Sequence, residues 1–130
     1  MKPHRLVLAG FGAFAKRAEI DFDRLSEFGL YLIIGETGSG KTTIFDAMTY
    51  ALYGKVAGER ENAIVSDHTG RDHPFIEFTF EHAGLTYIAH REPALPGKTM
   101  TPNKQWLSTV DAKGVELNRI TQTREVNNKV

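Results

Sequence analysis

Apolar positions recur along this chain at two spacings, and the spacings divide it into elements. Arg5-Leu6-Val7-Leu8-Ala9-Gly10-Phe11 predicts a first strand, with a turn over Gly10–Phe14. Glu19-Ile20-Asp21-Phe22 alternates polar with apolar, the mark of a half-buried strand, and Asp23 to Phe28 reads as a connecting turn. Gly29-Leu30-Tyr31-Leu32-Ile33-Ile34 is a short continuous apolar run, which predicts a buried strand. From Thr43 to Tyr53 the period changes to that of a helix. Ile44, Ala47, Met48 and Ala51 fall on one face, Phe45 and Leu52 widen it, and Gly54 stands where a C-cap glycine belongs.

The second half returns to alternation. Lys55 to His73, rich in charge, glycine and small residues, predicts a long surface loop. Phe75–Glu81 places Ile76, Phe78 and Phe80 on one face, His82-Ala83-Gly84 turns the chain, and Leu85–Arg91 returns with Leu85, Tyr87 and Ala89 together. That is a hairpin. Pro93, Pro96, Gly97 and Pro102 then break the pattern. Gln105–Val110 resumes a strand, Asp111–Gly114 turns it, and Val115-Glu116-Leu117 pairs back. From about Thr123 the residues suit the start of a helix, so the sequence through Val130 reads as a piece of something longer, one lobe spanning residues 1–130.

Between the apolar run and the predicted helix lies Gly35-Glu36-Thr37-Gly38-Ser39-Gly40-Lys41-Thr42, which fits G-x-x-x-x-G-K-[ST] at every fixed position. Glycines let successive backbone N–H groups turn inward around an anion. The helix that follows adds its unpaired N–H groups and its dipole. Lys41 is the catalytic candidate, reaching the terminal phosphates as a point charge, and the Thr42 hydroxyl is the candidate Mg²⁺ ligand. Gly35, Glu36, Thr37, Gly38, Ser39, Gly40, Lys41, Thr42 and Thr43 together form the candidate nucleotide site. Strand, glycine-rich loop and helix in this order predict an α/β fold of the P-loop NTPase type with a site for a nucleoside triphosphate and Mg²⁺.

Composition narrows the class. At 130 residues, 41% apolar and 10% aromatic, the chain supports one globular domain with a core. With no cysteine there is neither a disulfide framework nor a cysteine zinc site, as expected of an intracellular, cytoplasmic protein. No segment reads as a signal peptide or a membrane span. Lysine plus arginine equals aspartate plus glutamate at 16 each, but unevenly placed. Residues 1–17 hold four bases and no acid, 18–87 five bases against twelve acids, and 88–130 seven against four. The basic ends could meet as a patch for nucleic acid, although a solvated surface is the commoner use of such a split.

Several blocks together resemble the N-terminus of SbcC, the bacterial SMC-like ATPase of double-strand-break processing. They are Met1-Lys2-Pro3 with Leu6, Leu8, Phe11, Gly12 and Phe14; Ile20-Asp21-Phe22; Thr42 to Gly54; Ser66-Asp67; Glu77–Phe80; Tyr87–Pro93; and Glu125-Val126-Asn127. The resemblance implies the N-terminal lobe of an ABC-type ATPase head, with a mixed or antiparallel β-sheet around the phosphate-loop helix. It further implies a coiled coil and a C-terminal lobe supplying the magnesium-binding Asp, the catalytic Glu and the signature segment. Two such heads would close on two ATP molecules, beside the nuclease SbcD and double-stranded DNA. It also implies that the turn near Phe11–Phe14 approaches the nucleotide, although Ala13 and Phe14 replace the expected proline and tyrosine, and Val65 an expected arginine.

Other readings are weaker. Asp67, His68, Asp72 and His73 share a loop without any zinc spacing. Asp67-His68-Thr69-Gly70 spells the D-x-x-G of GTPases, but Asn103-Lys104 is followed at position 106 by Trp where N-K-x-D needs Asp. A small P-loop kinase lacks a lid-like arginine cluster. An SMC-type tether, switched by nucleotide, is the alternative outside enzymology. Phe75, Phe78 and Phe80 are expected in the core, and Lys98, Lys104 and Arg91 are the candidates for DNA phosphate contacts.

Overall fold

A computed structural model describes residues 1–25, 30, 32–56, 65, 73–94 and 104–121. Among these, six strands and one helix follow in the order β1 (Lys2–Ala9), β2 (Ala18–Asp21), α1 (Lys41–Tyr53), β3 (Phe75–His82), β4 (Leu85–Arg91), β5 (Gln105–Val110) and β6 (Glu116–Ile120). The strands form one sheet in the order β2-β1-β3-β4-β5-β6, and every pairing is antiparallel. The sheet is thus a pair of local meanders joined where β1 pairs with β3, across the stretch that holds the phosphate loop and α1.

Register follows from the alternation. Leu6 pairs with Ile20 on one side and Phe78 on the other, Phe78 with Ala89, and Ala89 with Leu107, giving one apolar row across five strands. Leu8, Ile76 and Phe80 lie on the same face. Against it α1 lays Ala47, Tyr50, Ala51 and Leu52, whose small and large side chains alternate so that the helix sits close to β3 and β4. The register shifts between Pro3 and Arg5, where proline brings no N–H to the ladder.

Each turn has its own chemistry. Ala83 (φ 50°) and Gly84 (φ 77°) make the two-residue hairpin turn with positive φ at both positions. Between β5 and β6 the Asp111 carboxylate accepts from the N–H groups of Lys113 and Val115 at 2.8 Å each. The opposite sheet face carries a stack: Phe75 on His90 (centroids 5.7 Å apart), His90 on Trp106 (5.1 Å, 2° between planes), and the Arg119 guanidinium 4.3 Å from the Trp106 ring. Phe75 therefore belongs to this outer stack, while Phe78 and Phe80 are buried in the core. The odd residue number already puts it on the other side of the pleat.

The apolar run before the phosphate loop departs from the sequence expectation. Leu30, Leu32 and Ile34 lie outside any strand, and are 85%, 81% and 82% exposed. A buried strand needs a neighbour on its edge and a layer on each face. Among the described residues no strand lies beside this run. The expected C-terminal helix start, the D-x-x-G stretch and most of the 55–73 loop lie outside the described residues. Within that loop Val65 forms a bridge with Phe11.

Candidate functional site

The phosphate loop is shaped by two glycines in left-handed backbone, Gly38 at φ 84° and Gly40 at φ 94°. The Ser39 N–H donates to Glu36 O at 3.1 Å, closing the tip. Helix α1 begins at once, with Ile44 N–H donating to Gly40 O at 3.1 Å. Its N-cap is Gly40, which makes no side-chain cap hydrogen bond, and there is no acid in the first turn. A helix start with neither a side-chain acceptor nor a carboxylate leaves its N–H groups for an external anion.

Lys41 bends back over this loop. Its Nζ donates to Gly35 O, to Glu36 O at 2.6 Å and to Ser39 Oγ at 3.4 Å. The ammonium is thus held against the loop by neutral acceptors. Charged phosphate oxygens make stronger hydrogen bonds than those and can displace them. Gly35 to Ser39 and Thr42 are exposed, and Thr43 is half-buried. All nine sequence-predicted positions, Gly35 through Thr43, lie in one continuous stretch that runs through the loop into the first turn of the helix. Their donor set, backbone amides with one lysine and one hydroxyl, fits a triphosphate with Mg²⁺.

The turn after β1 forms the second wall. Phe11 and Phe14 pair through two backbone hydrogen bonds of 3.1 and 2.9 Å, with Gly12 at φ 52° between them. A Cβ on Gly12 would stand 2.5 Å from Thr43 Cγ2, and one on Gly40 would stand 2.9 Å from the Phe14 ring. The turn that the resemblance brings near the nucleotide packs on Gly40 and Thr43, with the Phe14 ring where the resemblance expects a tyrosine. Phe11 continues inward to the Tyr50 ring at 5.8 Å.

The far end of α1 holds a residue that the sequence reading placed wrongly. Arg91, expected as a DNA phosphate contact, is only 4% exposed. Its Nε donates to Ala51 O at 2.8 Å and its Nη2 to Leu52 O at 3.0 Å, while Nη1 donates to the Gln105 side chain. Burial pulls the pKa of this guanidinium down from its ordinary value, opposed by Tyr50. Parity was the available signal: Arg91 follows Leu85, Tyr87 and Ala89 on the inward face of β4. Of the other two candidates, Lys104 is exposed, and Lys98 lies outside the described residues.

Charge on the outer sheet face is paired. Arg5 Nε donates to Glu19 at 2.7 Å and Arg17 to the same carboxylate at 3.1 Å, and the Arg5 hydrogen bond is the main reason the Glu19 pKa falls. His90 Nδ1 lies 3.5 Å from Glu77, and this imidazole holds the Glu77 carboxyl below its ordinary value against partial burial. Among the described residues no group of three or more His, Asp or Glu is arranged to hold a metal, and no helix is long and apolar enough to cross a membrane.

Comparison with known proteins speaks to the family and the fold. The family model described as "AAA domain" matches residues 5–129. The chain is 46% identical over 95 residues to the SbcC component of the nuclease SbcCD from Staphylococcus aureus strains MRSA252 and JH9. These alignments cover 71% of this chain and 9% of each relative, so the chain spans about a tenth of their length. Among solved structures, the SMC head domain from Thermotoga maritima superposes with a TM-score of 0.52 at 20% identity, covering 99% of this chain and 42% of that one. At that identity the likeness speaks for the fold alone: a P-loop NTPase head.

Proposed function

This chain belongs to the AAA domain family, and from that premise we propose that it is the ATP-binding N-terminal lobe of a DNA-repair ATPase. In this reading the loop amides from Gly35 to Thr43 and Lys41 hold the triphosphate, and the Thr42 hydroxyl holds Mg²⁺. Lys41 exchanges its carbonyl partners for phosphate oxygens and keeps its charge at the terminal phosphates, where it contributes to catalysis. The turn at Phe11–Phe14 keeps Gly40 and Thr43 in register by contact. Phosphoryl transfer also needs a positioned water and a second metal contact. Those belong to a C-terminal lobe and to a second head in the dimer, and hydrolysis by residues 1–130 alone is negligible.

The observation that carries the reading is Lys41 folded back over a glycine loop at an uncapped helix start. Two further observations support it. The apolar run at Leu30, Leu32 and Ile34 stands exposed beside that loop, as an interface for a C-terminal lobe requires. The similar proteins are named as part of a nuclease. The partners in this reading are therefore an SbcD-type nuclease subunit and double-stranded DNA, in the cytoplasm. The test uses the full-length protein with its nuclease subunit on linear double-stranded DNA. ATP-dependent degradation of ends, abolished by Lys41→Ala, is the expected result. Degradation indifferent to ATP and to Lys41→Ala contradicts the reading, and ATP-dependent bridging of DNA without degradation selects the tethering function in its place.

A further inference from the structure

Burying an arginine is costly, because a charge leaves water, and the cost is offset only where its donors find acceptors. Arg91 stands on β4, and its planar fork reaches two successive carbonyls at the C-terminal end of α1, Ala51 O at 2.8 Å and Leu52 O at 3.0 Å. Gln105 on the neighbouring strand accepts from the third nitrogen and fixes the plane of the fork. The chain leaves the helix beside it through Gly54, whose N–H donates to Tyr50 O at 2.8 Å in left-handed backbone, φ 71°. A Cβ at Gly54 would stand 2.9 Å from Arg91 Nη1, so glycine there gives the guanidinium its room.

The rest of the contact between α1 and the sheet includes Ala47 and Ala51 against aliphatic and aromatic side chains. Apolar packing of that kind is non-directional and tolerates small sliding of a helix over a sheet. A two-pronged hydrogen bond to consecutive carbonyls does not: it sets where the helix stops along its axis, and lysine cannot reproduce it. The N-terminus of the same 13-residue helix carries Lys41, Thr42 and the amides of the phosphate loop. A cation at the C-terminal carbonyls and an anion at the N-terminal amides also act on one row of aligned peptide dipoles in the same sense.

We propose that Arg91 is a positioning residue for the phosphate site: by gripping the C-terminal carbonyls of α1 from β4 it fixes the axial placement of the helix whose other end receives the triphosphate. This rests on the nucleotide-binding reading above. Linkage then runs both ways, so that nucleotide at the loop tightens the Arg91 end of the helix.

The experiment uses the full-length protein and measures Mg·ATP affinity together with amide hydrogen exchange over residues 50–54, with and without nucleotide. In the wild type, nucleotide slows exchange at Gly54. Arg91→Lys keeps the charge and loses the fork; it weakens Mg·ATP binding about tenfold, with the nucleotide-dependent protection at Gly54 removed. Gln105→Met, which leaves the arginine and removes the acceptor that orients it, gives a smaller loss of the same kind and carries the test if Arg91→Lys does not fold. A merely structural role lowers the unfolding temperature and leaves affinity and protection as in the wild type, which overturns the proposal alone. Wild-type protein that binds no nucleotide overturns the function reading and this proposal with it.

Discussion

Gly40 and Gly38 separate two reasons for glycine within one loop. Both have left-handed backbone, which costs an L-residue roughly 1–2 kcal/mol, but only Gly40 is overlain by the Phe14 ring, 2.9 Å from where its Cβ would be. Gly38→Ala should lower stability by about the backbone cost alone. Gly40→Ala should cost distinctly more and weaken nucleotide binding, because the Phe11–Phe14 turn must move. Thermal unfolding of the two variants checks this, and equal losses would show that Phe14 yields freely. Glu77 makes a prediction in pH. Its folded pKa lies below the ordinary 4.5, so its contribution is complete above that value and is lost as the pH falls through the folded pKa. Glu77→Gln should therefore flatten the decline of unfolding temperature below pH 4.5, and an unchanged acid limb would contradict the His90 pairing. At this scale the phosphate motif was fully legible, since its chemistry is local and its spacing fixed. Arg91 was not, because charge argued for the surface while strand parity argued for the interior, and only the packed helix decides between them.

At the scale of elements, alternation placed β2, β3 and β4, and short apolar stretches bounded by turn residues placed β1, β5 and β6, each to within a few residues, while the helical period placed α1 with its glycine cap. Pairing partners of hairpins were legible because a turn sets the register. The β1–β3 pairing was not, since nothing local joins strands separated by a helix. The run at Leu30–Ile34 shows the converse limit: its composition states that it is to be buried, and says nothing about what buries it. Those side chains predict self-association when residues 1–130 are produced alone. Leu32→Lys together with Ile34→Lys should raise the monomer fraction in analytical ultracentrifugation without changing the far-ultraviolet circular dichroism. The same pair in the full-length protein should abolish ATP-dependent activity. Unchanged association in the short chain and unchanged activity in the long one would remove the interface.

At the scale of the molecule, the described residues supply an antiparallel platform, one helix and a phosphate loop, and the chain spans about a tenth of the length of the relatives it resembles. The function proposed above divides the labour accordingly: charge neutralisation and one hydroxyl for Mg²⁺ on this lobe, water positioning on another. The claim beneath all of this is that the loop from Gly35 to Thr43 grips a triphosphate. The most direct measurement is equilibrium binding of Mg·ATP to the full-length protein, for the wild type and for Lys41→Ala. Loss of the lysine removes charge-assisted hydrogen bonds worth roughly 1.5–3 kcal/mol each, so the affinity should fall by about tenfold to more than a hundredfold, in a protein that unfolds at the same temperature without nucleotide. Equal affinity in the wild type and Lys41→Ala would contradict the account.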